Sequence, residues 1–365
     1  MNAVSDREAI KREFLAAARL ADARREPLAG DASTRAYERL YPANAPPLIL
    51  MDAPPSSESA PCRPDATQAE RTAAGYNATA RLAASRVDAF AATSNYLRGR
   101  GLSAPEIVAL DVPTGLAVVE DLGPDLFARR IAAGEPSAPL YATAIDLLID
   151  LHRESPPNVL PLPEGGWPLL TYDDLALKTG ADVFLEWWPK FSGAPPITPD
   201  AAADWERLWA PIRARGEAGA TVFTHRDYHA ENLIWLDGRK GLARVGLLDF
   251  QDAVRGHPAW DLFSLLQDAR RDVPEALEAA MLDRYLAARP DLDRAAFLQD
   301  YAGLAALNNS RILGVFARLI ARDGKPRYAE FLPRMSRLLA RNLDAPGLAP
   351  LKGWFAAHGG LETPA

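Results

Sequence analysis

The chain has 365 residues, 48% of them hydrophobic, and carries 41 Lys and Arg against 48 Asp and Glu for a formal net charge of -7. That length and apolar content suit two domains or lobes around a full core, and the acidic balance excludes the basic footprint of a non-specific nucleic-acid binder. A single cysteine, Cys62, excludes an intrachain disulfide and a multi-cysteine zinc site and fits a reducing cytoplasm. No apolar run reaches signal-peptide or membrane-helix length, so the expectation is a cytoplasmic protein without membrane or nucleic-acid partners.

In chain order, Ser5-Asp-Arg-Glu8 fits a capping box opening a helix to about Ala23. LAGDASTRAYERLYPANAPPLILMDAP then predicts a turn at Gly30-Asp31 between short extended segments, followed by a β-rich run Leu48–Met51. Pro54 to Pro64 reads as a loop, and Thr67-Gln-Ala-Glu70 as a second capping box opening an Ala-rich helical region to about Gly99. Ile107–Leu110 and Leu116–Val119 read as paired strands around Pro113-Thr-Gly115. From Asp121 onward the periodicity is helical, apart from one hairpin around Asp237-Gly238, and the Pro-rich stretch 155–168 reads as an exposed connection. No internal repeat is evident. The plan is α+β: a small β-rich N-terminal lobe, residues 1–120, and a larger, mainly helical C-terminal lobe, residues 121–365.

The chemistry-bearing segment is FTHRDYHAENLIWL…VGLLDFQDA, residues 223–253. It holds His225-Arg226-Asp227, then Asn232 five residues after the aspartate, then Asp249 after a strand-like run. If 233–236 and 243–248 pair as antiparallel strands, Asn232 enters one strand and Asp249 leaves the other, so both reach the same open end of the hairpin. Two hard oxygen ligands there suit Mg2+, which uses few protein ligands beside water and phosphate oxygens. Asp227, on the preceding loop, is left to accept a proton from a substrate hydroxyl. A competing reading takes His225, His229 and His257 as a zinc site, but no Glu supplies the base of an HExxH motif.

The spacing H-R-D-x4-N, a hairpin and then D-F resembles the protein-kinase signature, with Asp-Phe-Gln in place of Asp-Phe-Gly. Together with Asp261 in HPAWDLFSLL, the segment resembles the aminoglycoside phosphotransferase/choline kinase-like superfamily, which implies a protein-kinase-like two-lobed fold and a brace role for Asp261. GDASTRAYER…LILMDAPP, EDLG at 120–123 and NNSRILGVFARLIARDGKPRY resemble the anomeric N-acetylmuramate/N-acetylglucosamine kinases of cell-wall recycling, over roughly residues 28–335. The resemblance implies transfer of the ATP γ-phosphate to the C1 hydroxyl of an N-acetylated amino sugar. It implies ATP and Mg2+ as cofactors, a nucleotide hinge at Glu120 and Leu122, and a monomer or weak dimer. His229, Asn308 and Arg311 join Asp227 as candidates for contacting the substrate; Asn308, Asn309 and Arg311 could reach acetamido or lactyl groups, or simply face solvent.

One family feature is missing. The third strand, LILMDAP, puts Met51 where such kinases carry a phosphate-binding lysine, and no lysine occurs between Lys11 and Lys178. In DASTRAYERL, alternation puts Arg35, Tyr37 and Arg39 on one strand face. Arg35 is nearest the Gly30–Ser33 turn, where Gly30 and Ser33 would cover the phosphates, and it is the expected replacement cation; an exposed salt-bridging role is its alternative. Glu70 is accounted for by its capping box, and the Trp-rich run Phe184–Trp188 by helix packing, with Trp187 or Trp188 stacking on a sugar face as the alternative. Two other functions stay open: an aminoglycoside or amino-alcohol phosphotransferase, and a non-catalytic nucleotide-binding protein.

Overall fold

The computed structural model describes residues 3–28, 35–55 and 62–362. Gly30, Ser33 and the expected Gly30-Asp31 turn lie outside the described residues. Five strands, β1 (Arg24–Pro27), β2 (Ala36–Tyr41), β3 (Leu48–Asp52), β4 (Ile107–Asp111) and β5 (Leu116–Glu120), form an antiparallel sheet in the order β1-β2-β3-β5-β4. The period-two alternation of strands assigns its two faces. Leu40, Leu50, Leu116 and Val118 pack with Leu15 and Leu20 under helix α1 (Ala3–Ala17), while Tyr37, Ile49, Met51 and Val119 face a cleft.

Helix α1 is locked to its face by a buried ionic network. Lys11 Nζ lies 2.8 Å from Asp52 and 3.1 Å from Glu38, Arg7 lies 2.6 Å from Asp52, and Arg25 lies 2.7 Å from Glu38. Burial opposes the Lys11 charge, but hydrogen bonds to Asp52, Glu8 and Glu38 outweigh it and raise the Lys11 pKa. The capping box expected at Ser5 does not start this helix, which already runs from Ala3, and Glu8 spends its carboxylate on Lys11 and Arg25. Nor does the helix reach Ala23. Leu20 N–H returns to the Leu15 carbonyl at 2.7 Å and Arg19 takes a φ of 60°, a helix-ending turn that frees Arg24 for β1.

Between β3 and β4 the expected Ala-rich helical region is three helices, α2 (Gln68–Ala74), α3 (Tyr76–Thr79) and α4 (Val87–Gly99). The Thr67–Glu70 capping box is formed in both directions, with Thr67 N–H donating to Glu70 at 2.7 Å. Gly75 at φ 98° ends the first helix, and Arg81 and Ala84 at φ 57° and 52° keep 80–86 non-helical.

After Glu120 the chain runs α5 (Phe127–Ala132), α6 (Ser137–Leu151), β6 (Val159–Pro161), β7 (Gly166–Pro168), α7 (Asp174–Ser192), α8 (Pro199–Ala218) and β8 (Val222–Thr224). It continues with β9 (Leu233–Trp235), β10 (Val245–Leu247), β11 (Val254–Gly256), α9 (Ala259–Leu266), α10 (Glu275–Ala287), α11 (Arg294–Ala321), α12 (Leu332–Asn342) and α13 (Ala349–His358). More strand is present than expected. The 155–168 stretch carries the β6–β7 hairpin with Leu160 and Trp167 buried, and β8 pairs with β11. These strands are three residues long, too short for periodicity to register.

Helices α7 and α11 cross closely at Gly314, where a Cβ would stand 2.5 Å from the Phe184 amide nitrogen. Trp188, Trp205 and Trp209 are buried around Phe184 and Phe355 and serve packing, while Trp187 is half-buried beneath Lys190 and Arg322.

Candidate active site

The loop after β8 is shaped by one buried carboxylate. Asp261, at the start of α9, accepts from the main-chain N–H groups of His225 at 2.7 Å and Arg226 at 2.9 Å. Burial pushes its carboxyl up to about 7, against the lowering effect of those two bonds. Arg226 has a φ of 75°, a costly conformation for a side-chain-bearing residue. Its fork donates to the carbonyls of Ala80 at 3.2 Å and Arg81 at 3.0 Å, and it stacks 4.5 Å from the Tyr172 ring. Those contacts hold the strained turn and aim Asp227 outward, half-buried. Burial holds the His225 imidazole down at about 4, so it is a neutral packing group there.

The β9–β10 hairpin does what its spacing predicts. Leu233 pairs with Leu247, and Leu248 N–H donates to the Asn232 carbonyl at 3.0 Å, so Asn232 and Asp249 emerge at the same end. The second strand begins at Val245 rather than 243, because Gly241–Arg244 forms a 3-10 turn. Asn232 Nδ2 donates to the Asp227 carbonyl at 3.0 Å and approaches His229 Nε2 at 3.3 Å. That fixes the amide so that its oxygen is left for a ligand. Asp249 takes a φ of 59°, a region that Asp tolerates better than most residues.

The glutamine replacing the usual glycine after Asp-Phe has a definite task. Gln251 Nε2 donates to Asp249 Oδ1 at 2.9 Å, while Phe250 is buried against Phe90 with centroids 4.7 Å apart. Asp252 Oδ1 accepts from Ala83 N–H at 2.6 Å, tying the loop to the non-helical 80–86 segment. An amide oxygen and an exposed carboxylate at one hairpin end are the hard donors that Mg2+ prefers, so the residues present fit that ion. Among the described residues, no group of three or more His, Cys, Asp or Glu side chains converges as a metal cage, and His257 instead stacks on Phe297 and accepts from Ala259 N–H.

Two cavities flank this constellation. One, of about 430 Å³, lies under the sheet and is lined by Tyr37, Ile49, Met51, Glu120, Leu122, Asn232 and Asp249. Met51 therefore faces the cleft where the lysine was missed. Arg35 Nη1 lies 3.5 Å from Asp249 and its Nη2 donates to the Ala84 carbonyl at 2.5 Å, which brings this cation to the edge of the hairpin end. Arg39 is paired with Asp121 at 2.6 Å on the cleft wall. Glu120 is held by Arg239 at 2.5 Å and Arg98 at 3.3 Å, so its side chain is committed.

The other cavity, of about 180 Å³, is lined by Asp227, His229, Asn308 and Arg311 and by a wall that the sequence did not reveal. That wall comes from Ser264, Gln267, Asp268 and Arg270 at and beyond the end of α9. The one signal for it was the continuation HPAWDLFSLLQDARR, polar again where an amphipathic helix ends. Asn309 is turned away and donates to Gln267 at 3.1 Å within the core.

Known proteins resemble the chain over most of its length. The family model described as phosphotransferase enzyme family matches residues 24–298. The chain is 60% identical over 365 residues to the N-acetylmuramate/N-acetylglucosamine kinase of Caulobacter vibrioides, covering 100% of this chain and 99% of that protein. It is 28% identical over 321 residues to the N-acetylmuramate/N-acetylglucosamine kinase of Pseudomonas aeruginosa, covering 86% of this chain and 82% of that one. Among solved structures it resembles a choline/ethanolamine kinase family protein from Mesorhizobium loti, with a TM-score of 0.55 and 16% identity over 95% of this chain and 98% of that chain, a likeness of fold.

Proposed function

The chain belongs to the phosphotransferase enzyme family, and we propose from that premise that it is a kinase moving the ATP γ-phosphate to the anomeric hydroxyl of N-acetylmuramate or N-acetylglucosamine. The observation that carries the choice of acceptor is the full-length likeness to the Caulobacter vibrioides kinase. The arrangement of the two cavities supports the chemistry. Asp227 lines the smaller one, Asn232 and Asp249 line the larger, and the Asn232–Asp227 hydrogen bond joins them.

In this reading the nucleotide occupies the larger cavity against Leu122 and the main chain at Glu120, with Gly30 and Ser33 covering its phosphates. Arg35 supplies the positive charge that Met51 does not. Asn232 and Asp249 would hold Mg2+, which when bound supplies charge neutralisation for the phosphates. Asp227 accepts the proton of the attacking hydroxyl, and His229, Asn308 and Arg311 position the sugar. Because phosphoryl transfer asks mainly for positioning and electrostatics, a base and two oxygen ligands on one rigid loop-and-hairpin unit are sufficient equipment.

A cationic acceptor of the aminoglycoside or choline type fits less well. The smaller cavity is lined by Arg226, Arg270 and Arg311 beside Asp227 and Asp268, so its positive charge at least matches its negative charge. No helix among the described residues is long and apolar enough to cross a membrane, and the proposed setting is the cytoplasm, as a monomer or weak dimer. Coupled ADP release across N-acetylmuramate, N-acetylglucosamine, glucosamine, choline and an aminoglycoside tests the reading. Turnover confined to the N-acetylated sugars is expected; turnover of choline or the aminoglycoside alone contradicts it.

A further inference from the structure

We propose that Asn308 and Arg311 form a carboxylate-binding subsite, so that this enzyme favours an N-acetylated sugar carrying an acidic substituent over its neutral counterpart; the inference rests on the functional reading above. It follows from which polar groups of the smaller cavity remain uncommitted. Gln267 is fully occupied, donating to Glu278 at 2.9 Å and Asn342 at 3.1 Å and accepting from Asn309 and Asn342. Ser264 donates to the Trp260 carbonyl at 2.9 Å. The Asp268 oxygens accept from Arg270 N–H at 2.8 Å and Arg271 Nε at 3.0 Å. Arg270 pairs with Glu231 at 3.2 Å and reaches His229 at 3.4 Å.

Beside the Asp227 carboxylate and the buried His229 Nδ1, what is left is a set of donors on one helix face. Arg311 Nε donates to Asn308 Oδ1 at 3.0 Å, one helical turn back on α11. The two terminal nitrogens of Arg311 and the Asn308 Nδ2 have no partner among the described residues, and both residues line the cavity. An array of amide and guanidinium donors with its only acceptor already satisfied fits an anion, and the planar fork suits a carboxylate. The array is also preset. A Cβ at position 180 would stand 3.0 Å from Arg311 Cδ, so Gly180 on α7 leaves the path along which the arginine stem runs. A donor group already in place loses less freedom on binding. It also offsets the repulsion that Asp227 and Asp268 exert on an acidic substituent in the same cavity.

N-acetylmuramate and N-acetylglucosamine differ by the lactyl ether and its carboxylate, so the ratio of kcat/KM for the two sugars reads the subsite. The measurement compares the wild-type protein with Arg311→Gln, Arg311→Lys and Gly180→Ala, with melting temperatures establishing that each variant is folded. Arg311→Gln should lose roughly tenfold to a hundredfold more on N-acetylmuramate than on N-acetylglucosamine, mainly through KM. Arg311→Lys, which keeps the charge without the fork, should recover part of that loss. Gly180→Ala, which crowds the stem without removing a donor, should shift the ratio the same way. An unchanged ratio, or an equal loss on both sugars, in folded and active variants overturns the subsite while leaving the functional reading intact. Wild-type inactivity on both sugars overturns the functional reading and the subsite with it.

Discussion

Asn232 donates through Nδ2 to the main-chain carbonyl of Asp227 at 3.0 Å, so the proposed metal-holding amide and the proposed base belong to one hydrogen-bonded unit. The bond explains why the two residues stand five apart: one turn of loop brings the amide back to the carbonyl and leaves its oxygen facing the hairpin end.

Two substitutions separate the halves of that unit. Asp227→Asn removes the base without touching the carbonyl and should lower kcat by roughly 10²–10⁴ while leaving ATP affinity near wild type. Asn232→Asp keeps an oxygen ligand but cannot donate to the Asp227 carbonyl, and should cost about 1–3 kcal/mol in kcat/KM. Stopped-time kinetics beside ATP titration checks both; near-normal turnover of folded Asp227→Asn removes that residue from the mechanism.

The replacement for the missing lysine is tested by comparing two arginines. Arg35 reaches the hairpin end, 3.5 Å from Asp249, whereas Arg39 is paired with Asp121 on the cleft wall. Arg35→Ala should raise the ATP KM and lower kcat/KM by about 1.5–3 kcal/mol, the range for a charged hydrogen bond. Arg39→Ala should cost clearly less. Wild-type kinetics in Arg35→Ala would place the screening cation elsewhere.

Lys11 is the only lysine before Lys178, and it lies on the α1 face of the sheet, opposite the cleft. Its role is therefore in folding. Lys11→Met leaves Glu38 and Asp52 with Arg25 and Arg7 as partners, so the loss should stay below the ~3–5 kcal/mol of a fully broken buried pair. Urea unfolding should show that loss, with ATP KM unaltered in the folded protein. A raised ATP KM without destabilisation would reverse the assignment.

Burial holds the His152 imidazole down at about 3, far below the usual histidine range. The folded protein keeps it neutral while the unfolded chain takes up a proton near pH 6.5. The contribution is therefore complete above about pH 6.5 and is lost as pH falls from there toward the folded value. His152→Gln, which can keep a hydrogen bond to the Tyr285 hydroxyl, should flatten the stability profile between pH 6.5 and pH 5 by up to about 1.4 kcal/mol per pH unit. Parallel profiles of the two proteins would show that the histidine does not titrate on unfolding.

The proposed catalytic loop was legible in the sequence because its logic is local. Asp227, Asn232 and Asp249 are joined by a loop and a hairpin whose register follows from alternation, and four strands of the N-terminal sheet could be placed with only their ends adjusted, whereas β1 (Arg24–Pro27), charged and too short for a pattern, was not. The smaller cavity, the proposed acceptor site, was half legible. Asn308 and Arg311 stood out, but Gln267, Asp268 and Arg270 meet Asp227 only because α9 folds back against the loop that Asp261 braces. The α1 network was hidden for the same reason: Lys11, Glu38 and Asp52 carry no mutual signature until the sheet brings them together, and Ser5-Asp-Arg-Glu8 imitated a capping box whose glutamate was needed elsewhere.

The most direct test of the central claim is the position of the transferred phosphate. The wild-type protein is incubated with ATP, magnesium and N-acetylglucosamine or N-acetylmuramate, and the sugar product is examined by proton-coupled ³¹P NMR. Phosphate on the anomeric oxygen, with phosphorus coupled to the single proton at C1 and a product labile to mild acid, is the predicted result. Phosphate coupled to the two protons at C6, or hydrolysis of ATP with no phosphorylated sugar, would contradict the account.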